Sequence, residues 1–279
     1  MDLIEPRVAH WGTFDVDNYG DHLFRPVAEH ELGRRLPGLT LDAFSPFGWL
    51  HPTSLDATPA VSPLGLPSAL RRRAFAVSYD LVLVGGGELI HDNDPLLAAV
   101  YGVGGAQLAE LAPSRFFVEG LGPDLERDCP VVWHALGVPT DPDPALRQRV
   151  RDALAGRALV SVRDRFSAAR LVQAGVTAEI EVVPDPAVLL ERVLPAATLA
   201  RRLEGLRMRG CYPQGPAMVV QGCDLLLPHA DAMADALGAW LGGAGWRDVV
   251  LAVTGRCRGD DAFADALAAR LGGRAGLWR

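Results

Sequence analysis

Short apolar, β-branched runs alternate along the chain with segments whose apolar residues recur every three or four positions. This is the order expected of parallel βαβ units, whose strands are buried on both faces. The runs RVAHW (7–11), LTLDAF (39–44), LVLVGG (81–86), VVWHAL (131–136), ALVSVRD (158–164) and IEVVPD (180–185) are predicted strands. Between them, HLFRPVAEHELGRRL (22–36), PALRQRVRDALAG (144–156) and RFSAARLVQAG (165–175) are predicted helices. Together they predict an α/β fold with one doubly wound parallel-sheet domain over residues 1–195. Proline deep in a helix costs about 3 kcal/mol, so Pro26 predicts that the first regular helix begins near Phe24 rather than at Asp21. Residues 48–73 break the rhythm with several prolines and end in Arg71, Arg72 and Arg73. They read as a long surface excursion, its arginines a solvated face or helix end rather than an anion site.

After LPAATLARRLEGLRMRG (194–210) a second α/β set begins. It predicts a strand in AMVVQGC (217–223), a helix in HADAMADALGAWLGG (229–243), a strand in DVVLAVTG (248–255) and a helix in DDAFADALAARLGG (260–273). Two strands and two or three helices make about half of an ordinary domain of roughly 100–150 residues. The expectation is therefore a partial second Rossmann-like domain over 196–279.

Composition narrows the chemistry. A formal net charge of -7 and a pI near 5.5 argue against a surface built to neutralise nucleic-acid phosphates, so any anion binding must be local. All 27 basic residues are arginine. Phosphates and carboxylates must then be held by guanidinium forks, backbone N–H groups or histidine, with no amine for a Schiff base. The four cysteines, Cys129, Cys211, Cys223 and Cys257, form no CxxC pair, which points to neither a zinc site nor a disulfide framework and suggests a reducing compartment. The N-terminus lacks a signal-peptide pattern, and no run approaches the roughly 20 apolar residues of a spanning helix, so a cytoplasmic protein without an integral membrane segment is expected.

In open parallel sheets ligands bind beyond the carboxyl ends of the strands, where helix N-termini favour anions. Four loops fall there: DNYGD (17–21), GGGELIHDND (85–94), VRDRFS (162–167) and PDPA (184–187). In the first, Gly20 can take conformations closed to other residues and Asn18 or Asp21 can cap the following helix, so the loop is either a capped turn or a ligand contact. In the second, Gly85, Gly86 and Gly87 carry an entropy cost that a simple turn does not require, so the backbone there comes close to a ligand or to another chain segment. The spacing matches neither GxGxxG nor a P-loop. Glu88 and His91 follow, either as acid or base or as an exposed polar pair.

In the third loop Arg163 stands at the mouth of the sheet, placed for bidentate binding of phosphate or carboxylate, with Asp164 a structural partner and Ser167 able to cap the next helix. In the fourth, Asp185 lies between two prolines, which suits a rigid site carboxylate or an interdomain turn. His134 and His10, each within an apolar strand, read as satisfied core histidines. No Ser-His-Asp order, HExxH or paired Cys/His cluster occurs, and no metal site is expected.

NYGD after the first strand, LVLVGGGELI after the third, SVRDRFSAARLVQAGV and VVPDPAVLL, in that order, resemble the polysaccharide pyruvyl transferase family over residues 8–190. The likeness continues more weakly through VVQGC and VVLAVTG. It implies a GT-B-like architecture of two Rossmann-like domains. It also implies transfer of the enolpyruvyl unit of phosphoenolpyruvate onto two sugar hydroxyls as a ketal, with release of phosphate and no cofactor. Such chemistry needs an acid, a base and cations.

By this resemblance Arg163 binds the donor's charge, and Asn18, Gly20 and Asp21 face the acceptor sugar or the cleft. Gly85 to Gly87 let the backbone approach the ligand, His91 and Asp164 line the same site, and Asp21, Glu88 and Asp185 are the candidate acid and base. The implied partners are a small-molecule donor and a sugar or glycan acceptor, with no nucleic acid; a homo-oligomer is compatible with the chain. Family members carry an Arg/His-containing motif in the second domain, for which this reading finds no counterpart, since no histidine lies beyond His229. Two other readings stay open: a GT-B glycosyltransferase using a nucleotide sugar, and a truncated, non-catalytic homologue acting as a binding protein.

Overall fold

The computed structural model describes residues 5–48, 61–64, 69–92, 98, 100–102, 117–118, 129–155, 159–244, 248–272 and 276–278. Asn93 and Asp94 of the glycine-rich loop, and most of the predicted excursion, lie outside them. The chain forms two compact units. Unit 1 comprises Met1–Val16 and Gly20–Val193, and unit 2 comprises Asp17–Tyr19 and Leu194–Arg279.

Unit 1 is a seven-stranded sheet of β1 (Arg7–Trp11), β2 (Thr40–Ser45), β3 (Val61–Pro63), β4 (Leu81–Gly85), β5 (Val131–Leu136), β6 (Leu159–Val162) and β7 (Ile180–Val182). The order is β3-β2-β1-β4-β5-β6-β7, and every pairing is parallel. The six predicted strands are all present. The seventh, β3, is a three-residue edge strand inside the stretch expected to be a surface excursion. The same stretch ends in helix α2 (Ala69–Ser78), which contains Arg71 to Arg73. β3 was not predicted because its residues, VSP, stand among prolines and in no apolar run.

Alternation along each strand sets the two faces of the sheet. Ala9, Trp11, Val82, Val84, Val131, Trp133, Val160 and Val162 pack with Phe75 of α2, with Leu146 and Val150 of α3 (Pro144–Ala153), and with Leu171 of α4 (Arg165–Gln173). On the opposite face Val8, Leu41 and Leu83 pack under Ala28 and Leu32 of α1 (Tyr19–Gly33). Helix α1 corrects the expected start, because it begins at Tyr19 and keeps Pro26 inside. His22, Leu23, Phe24 and Val27 are buried around the proline, so tertiary packing outweighs the local propensity that placed the start near Phe24.

Unit 2 carries a three-stranded parallel sheet, β10-β9-β8, of β8 (Ala217–Val220), β9 (Asp248–Leu251) and β10 (Gly276–Trp278). β10 lies in the GLWR segment, where no strand was predicted. Along the chain α5 (Leu190–Val193) and α6 (Ala196–Met208) precede this sheet, and Val249, Leu251, Phe263, Leu267 and Leu271 form its core with Ala234 and Leu241, joining β9 to α7 (Ala230–Ala244) and α8 (Asp260–Leu271). Both units are thus α/β with parallel, Rossmann-like sheets. Among the described residues no helix is long and apolar enough to cross a membrane.

Candidate functional site

The order of unit 1 reverses between β1 and β4: from β1 the chain builds outward to β2 and β3, then returns to β4 and builds the other way. Connections leaving such a switch point diverge and open a crevice at the carboxyl ends of the two strands. The loops after β1 and β4 are the ones that carry DNYGD and GGGELIH.

The three acids of DVDNYGD have three different fates. Asp15 is fully buried, and its carboxylate accepts the N–H groups of Phe47 (2.8 Å) and Gly48 (3.0 Å) and the hydroxyl of Tyr101 (3.0 Å). Burial raises its pKa above the ordinary carboxylate value. Asp17 belongs with Asn18 and Tyr19 to unit 2, where Tyr19 N–H donates to Thr254 O (2.6 Å) and Asn18 bridges Gly255. Asp21 enters the first turn of α1 and accepts a hydrogen bond from the Thr13 hydroxyl (2.8 Å). Gly20 lies in that same turn.

Asp21 keeps some solvent contact as a residue, but protein atoms crowd its carboxyl group, and desolvation raises the pKa from 3.8 to about 7. The Thr13 hydrogen bond opposes the shift, the charge of Glu88 adds to it, and Arg163 opposes it. Asp21 therefore holds an exchangeable proton near neutral pH, the property a general acid requires.

The three glycines explain how this carboxyl is seated. A Cβ on Gly85 would lie 2.5 Å from His134 O, one on Gly86 would lie 2.8 Å from Phe24 Cβ, and one on Gly87 would fall on Asp21 Oδ1. Gly86 (φ 97°) and Gly87 (φ 106°) also occupy the left-handed region, which other residues rarely enter. Of the two readings of the triplet, close approach to another chain segment is the one observed: the loop wraps the N-terminus of α1. His91 follows, half-buried, on the same loop.

Around Arg163 the loops after β4, β6 and β7 meet. Its guanidinium donates to Glu88 Oε1 (2.6 Å) and lies 3.5 Å from Asp185 and 3.7 Å from Asp164. Gly137, which no motif flagged, makes room for the pair, since a Cβ there would lie 3.0 Å from both Arg163 Cζ and Glu88 Cγ. One cation thus faces three carboxylates, with only Glu88 at hydrogen-bonding distance. Glu88 is also the most exposed of the four side chains, at 41%.

Two of the carboxylates have a second duty. Asp164, not Ser167, is the N-cap of α4, accepting Ser167 N–H at 2.7 Å, and Ser167 Oγ instead accepts Val138 N–H at 3.0 Å. Asp185 caps the 3-10 turn Pro186–Leu189 through Ala187 N–H at 2.9 Å. The Asp164 pKa is lowered, because these hydrogen bonds and the Arg163 charge outweigh desolvation, the largest single cause.

The histidines depart from their sequence reading. His10 is buried as expected, and burial pushes its pKa down to about 3, yet its Nδ1 has no hydrogen-bond partner among the described residues. His134 is not a core residue. It is exposed, although both of its neighbours along β5 are buried, and its pKa is lowered, chiefly by partial desolvation of the ring. The reason is a break in register between β5 and β6 at Trp133/Leu136, with Ala135 at φ 52°. A run of apolar letters cannot reveal such a bulge.

In unit 2 the corresponding strand end was also passed over. Beyond β9, Arg256 and Arg258 lie on a 3-10 turn ahead of α8. The buried Asp260 fixes that turn by accepting, on Oδ2, Gln221 Nε2 (3.0 Å), Thr254 N–H (3.0 Å), Thr254 O–H (2.8 Å) and Gly255 N–H (3.0 Å). Neither arginine stands in a motif that the sequence reading singled out. Among the described residues no group of three or more His, Cys, Asp or Glu side chains could hold a metal ion.

Comparison with known proteins sets this geometry in a family. No curated protein matches the chain. Among solved structures, Escherichia coli heptosyltransferase WaaC with ADP is 14% identical, with 98% of this chain and 75% of that chain covered and a TM-score of 0.38, too low to carry an argument. The sequence profile described as polysaccharide pyruvyl transferase matches residues 18–226, roughly three quarters of the chain, and takes in the loops after β4, β6 and β7 and the first turn of α1. The chain belongs to the polysaccharide pyruvyl transferase family.

Proposed function

We propose that the protein transfers the pyruvyl unit of phosphoenolpyruvate to two hydroxyls of a sugar or glycan precursor, forming a cyclic ketal and releasing phosphate. The observation that carries this reading is the pairing, at the switch point of the unit 1 sheet, of a protonatable carboxyl, Asp21, with a guanidinium, Arg163, that acts on it electrostatically. Addition to an enol ether begins with protonation of its terminal carbon and leaves a cationic centre beside a phosphate and a carboxylate. Asp21 supplies the proton. Arg163 takes a donor anion as Glu88, its exposed partner, swings aside. Gly20 faces the acceptor, and Gly85, Gly86 and Gly87 hold the crevice backbone in place. The four cysteines, which form no CxxC pair, fit a reducing, cytoplasmic setting.

The test is incubation with phosphoenolpyruvate and a panel of methyl glycosides, following phosphate release and the mass gain of one pyruvate less one water. Turnover on at least one glycoside is expected, and none on any would overturn the function. In an active enzyme Arg163→Ala should raise KM for phosphoenolpyruvate at least about tenfold, the loss of roughly one charge-assisted hydrogen bond. An unchanged KM and kcat would remove Arg163 from the donor site.

A further inference from the structure

Among the described residues around the crevice, each carboxylate is already engaged. Glu88 and Asp185 are held by Arg163, Asp164 caps α4 beside it, and Asp21 accepts the Thr13 hydroxyl. Apart from Glu88, which the donor displaces from Arg163, no carboxylate among the described residues of the crevice is left to accept the proton that the proposed reaction releases. One side chain at the same end of the sheet is free to take a proton, and no motif pointed to it.

His134 pairs in register with Gly85, the last residue of β4, so it stands level with the start of the glycine-rich loop. It is brought outward by the bulge, in which two residues of β5, His134 and Ala135, stand opposite the single Ser161 of β6. A non-glycine residue at φ 52° costs of order 1 kcal/mol or more, so the surrounding structure must hold it there. Ser161 is the residue that does so. Its Oγ accepts Ala135 N–H at 3.0 Å, donates to Trp133 O at 3.3 Å and lies 3.2 Å from His134 Nδ1.

A hydroxyl has one proton and two lone pairs. With that proton on Trp133 O and one lone pair on Ala135 N–H, the remaining lone pair faces Nδ1. Nδ1 must then carry the imidazole proton, which leaves Nε2 as a bare acceptor with no hydrogen-bond partner among the described residues. Bulges that re-aim one side chain recur beside active sites.

We propose that His134 Nε2 is the base that removes the proton from the attacking sugar hydroxyl, with Ser161 as the positioning residue that fixes its tautomer. This rests on the pyruvyl-transfer reading. As Asp21 protonates the terminal carbon, the enol π electrons form the new C–H bond. The sugar oxygen forms its bond to the adjacent carbon, and its proton passes to Nε2. The bond to phosphate then breaks with its electron pair on oxygen, and His134 returns the proton to the departing phosphate. The second hydroxyl attacks the same carbon, and its proton restores Asp21. Both hydroxyl protons are accounted for, one on the new methyl group and one on phosphate.

The charged groups that act on His134 are Glu181 of β7 and Asp185, which raise its pKa, while burial lowers it further than they raise it. The imidazole is thus neutral and competent at neutral pH. Activity should fall on the acid side as His134 takes a proton, and on the alkaline side as Asp21 loses its own near pH 7.

Two measurements decide the matter. In wild type, nitrogen-15 NMR of the neutral His134 ring should show the Nδ1–H tautomer, and an Nε2–H tautomer would overturn the proposal whatever the activity. With phosphoenolpyruvate and the most active methyl glycoside, His134→Gln should lower kcat by at least about a hundredfold and abolish the acid limb of the pH profile. It should leave KM for phosphoenolpyruvate within about threefold, where a folding defect would disturb both. Ser161→Ala should keep the limb but shift it and lower kcat by a smaller factor. A wild-type profile in His134→Gln would overturn the base while leaving the pyruvyl-transfer reading intact. Wild type inert on every glycoside would overturn both.

Discussion

Replacing Asp21 by asparagine isolates the cost of placing an ionisable carboxyl against the glycine-rich loop. Asparagine keeps the oxygen that accepts the Thr13 hydroxyl but cannot ionise. In the folded protein the Asp21 pKa stands at about 7, against 3.8 for the unshifted group. Below pH 3.8 both folded and unfolded chains hold the proton. Between pH 3.8 and about 7 the unfolded chain releases it while the folded chain retains it, so stability falls with rising pH by about 1.4 kcal/mol per unit. Above pH 7 both forms are ionised, and the loss levels off near 4 kcal/mol, the full shift converted at that rate.

Asp21→Asn lacks this slope. It should therefore gain about 2–3 kcal/mol on wild type between pH 5 and pH 7, with little further gain above. Urea unfolding followed by the fluorescence of Trp11 and Trp133, both buried in unit 1, reports the difference. The same variant should lose phosphate release, so the protein becomes more stable as it becomes less active. Parallel stability curves for the two proteins from pH 5 to pH 8 would refute the assignment. Glu88→Gln, which removes a charge that raises the Asp21 pKa, should move the wild-type slope to lower pH.

Two further outcomes follow from the backbone. Gly87→Ala forces a side chain into φ 106° and onto Asp21 Oδ1, so it should destabilise unit 1 by about 2 kcal/mol or more, seen as a lower urea midpoint; a change within about 0.5 kcal/mol would mean the loop yields freely. In unit 2, Asp260→Ala leaves the donors of Gln221, Thr254 and Gly255 without their acceptor. A loss of about 3 kcal/mol or more is expected, with faster hydrogen exchange at the Thr254 and Gly255 amides, and unaltered exchange there would show that Asp260 does not hold the turn.

The α/β class and the strands that lie within an apolar run bounded by turn residues were legible in the sequence, because such a run shows a period even where, as at β7, only three of its residues pair. β3 and β10 were invisible because VSP and GLW stand in no such run. The site was legible where chemistry is written in residue type and position. Glu88, Arg163, Asp164 and Asp185 all follow strands that end at one edge, so a parallel sheet must bring them near one another.

What only tertiary structure decided was which group does which task. Three acids in DVDNYGD are alike as letters; burial against a neighbouring glycine makes Asp21 the protonatable one over the opposing Thr13 hydrogen bond, while the N–H groups of Phe47 and Gly48 and the Tyr101 hydroxyl make Asp15 a structural anchor. Pro26 sits inside α1 because buried neighbours outweigh its local penalty. His134 reads as core within an apolar run and stands outside because Ser161 and the positive φ of Ala135 displace one residue of β5. A pKa, a bulge and a cap arise from atoms far apart in the chain, and a local pattern carries no information about them.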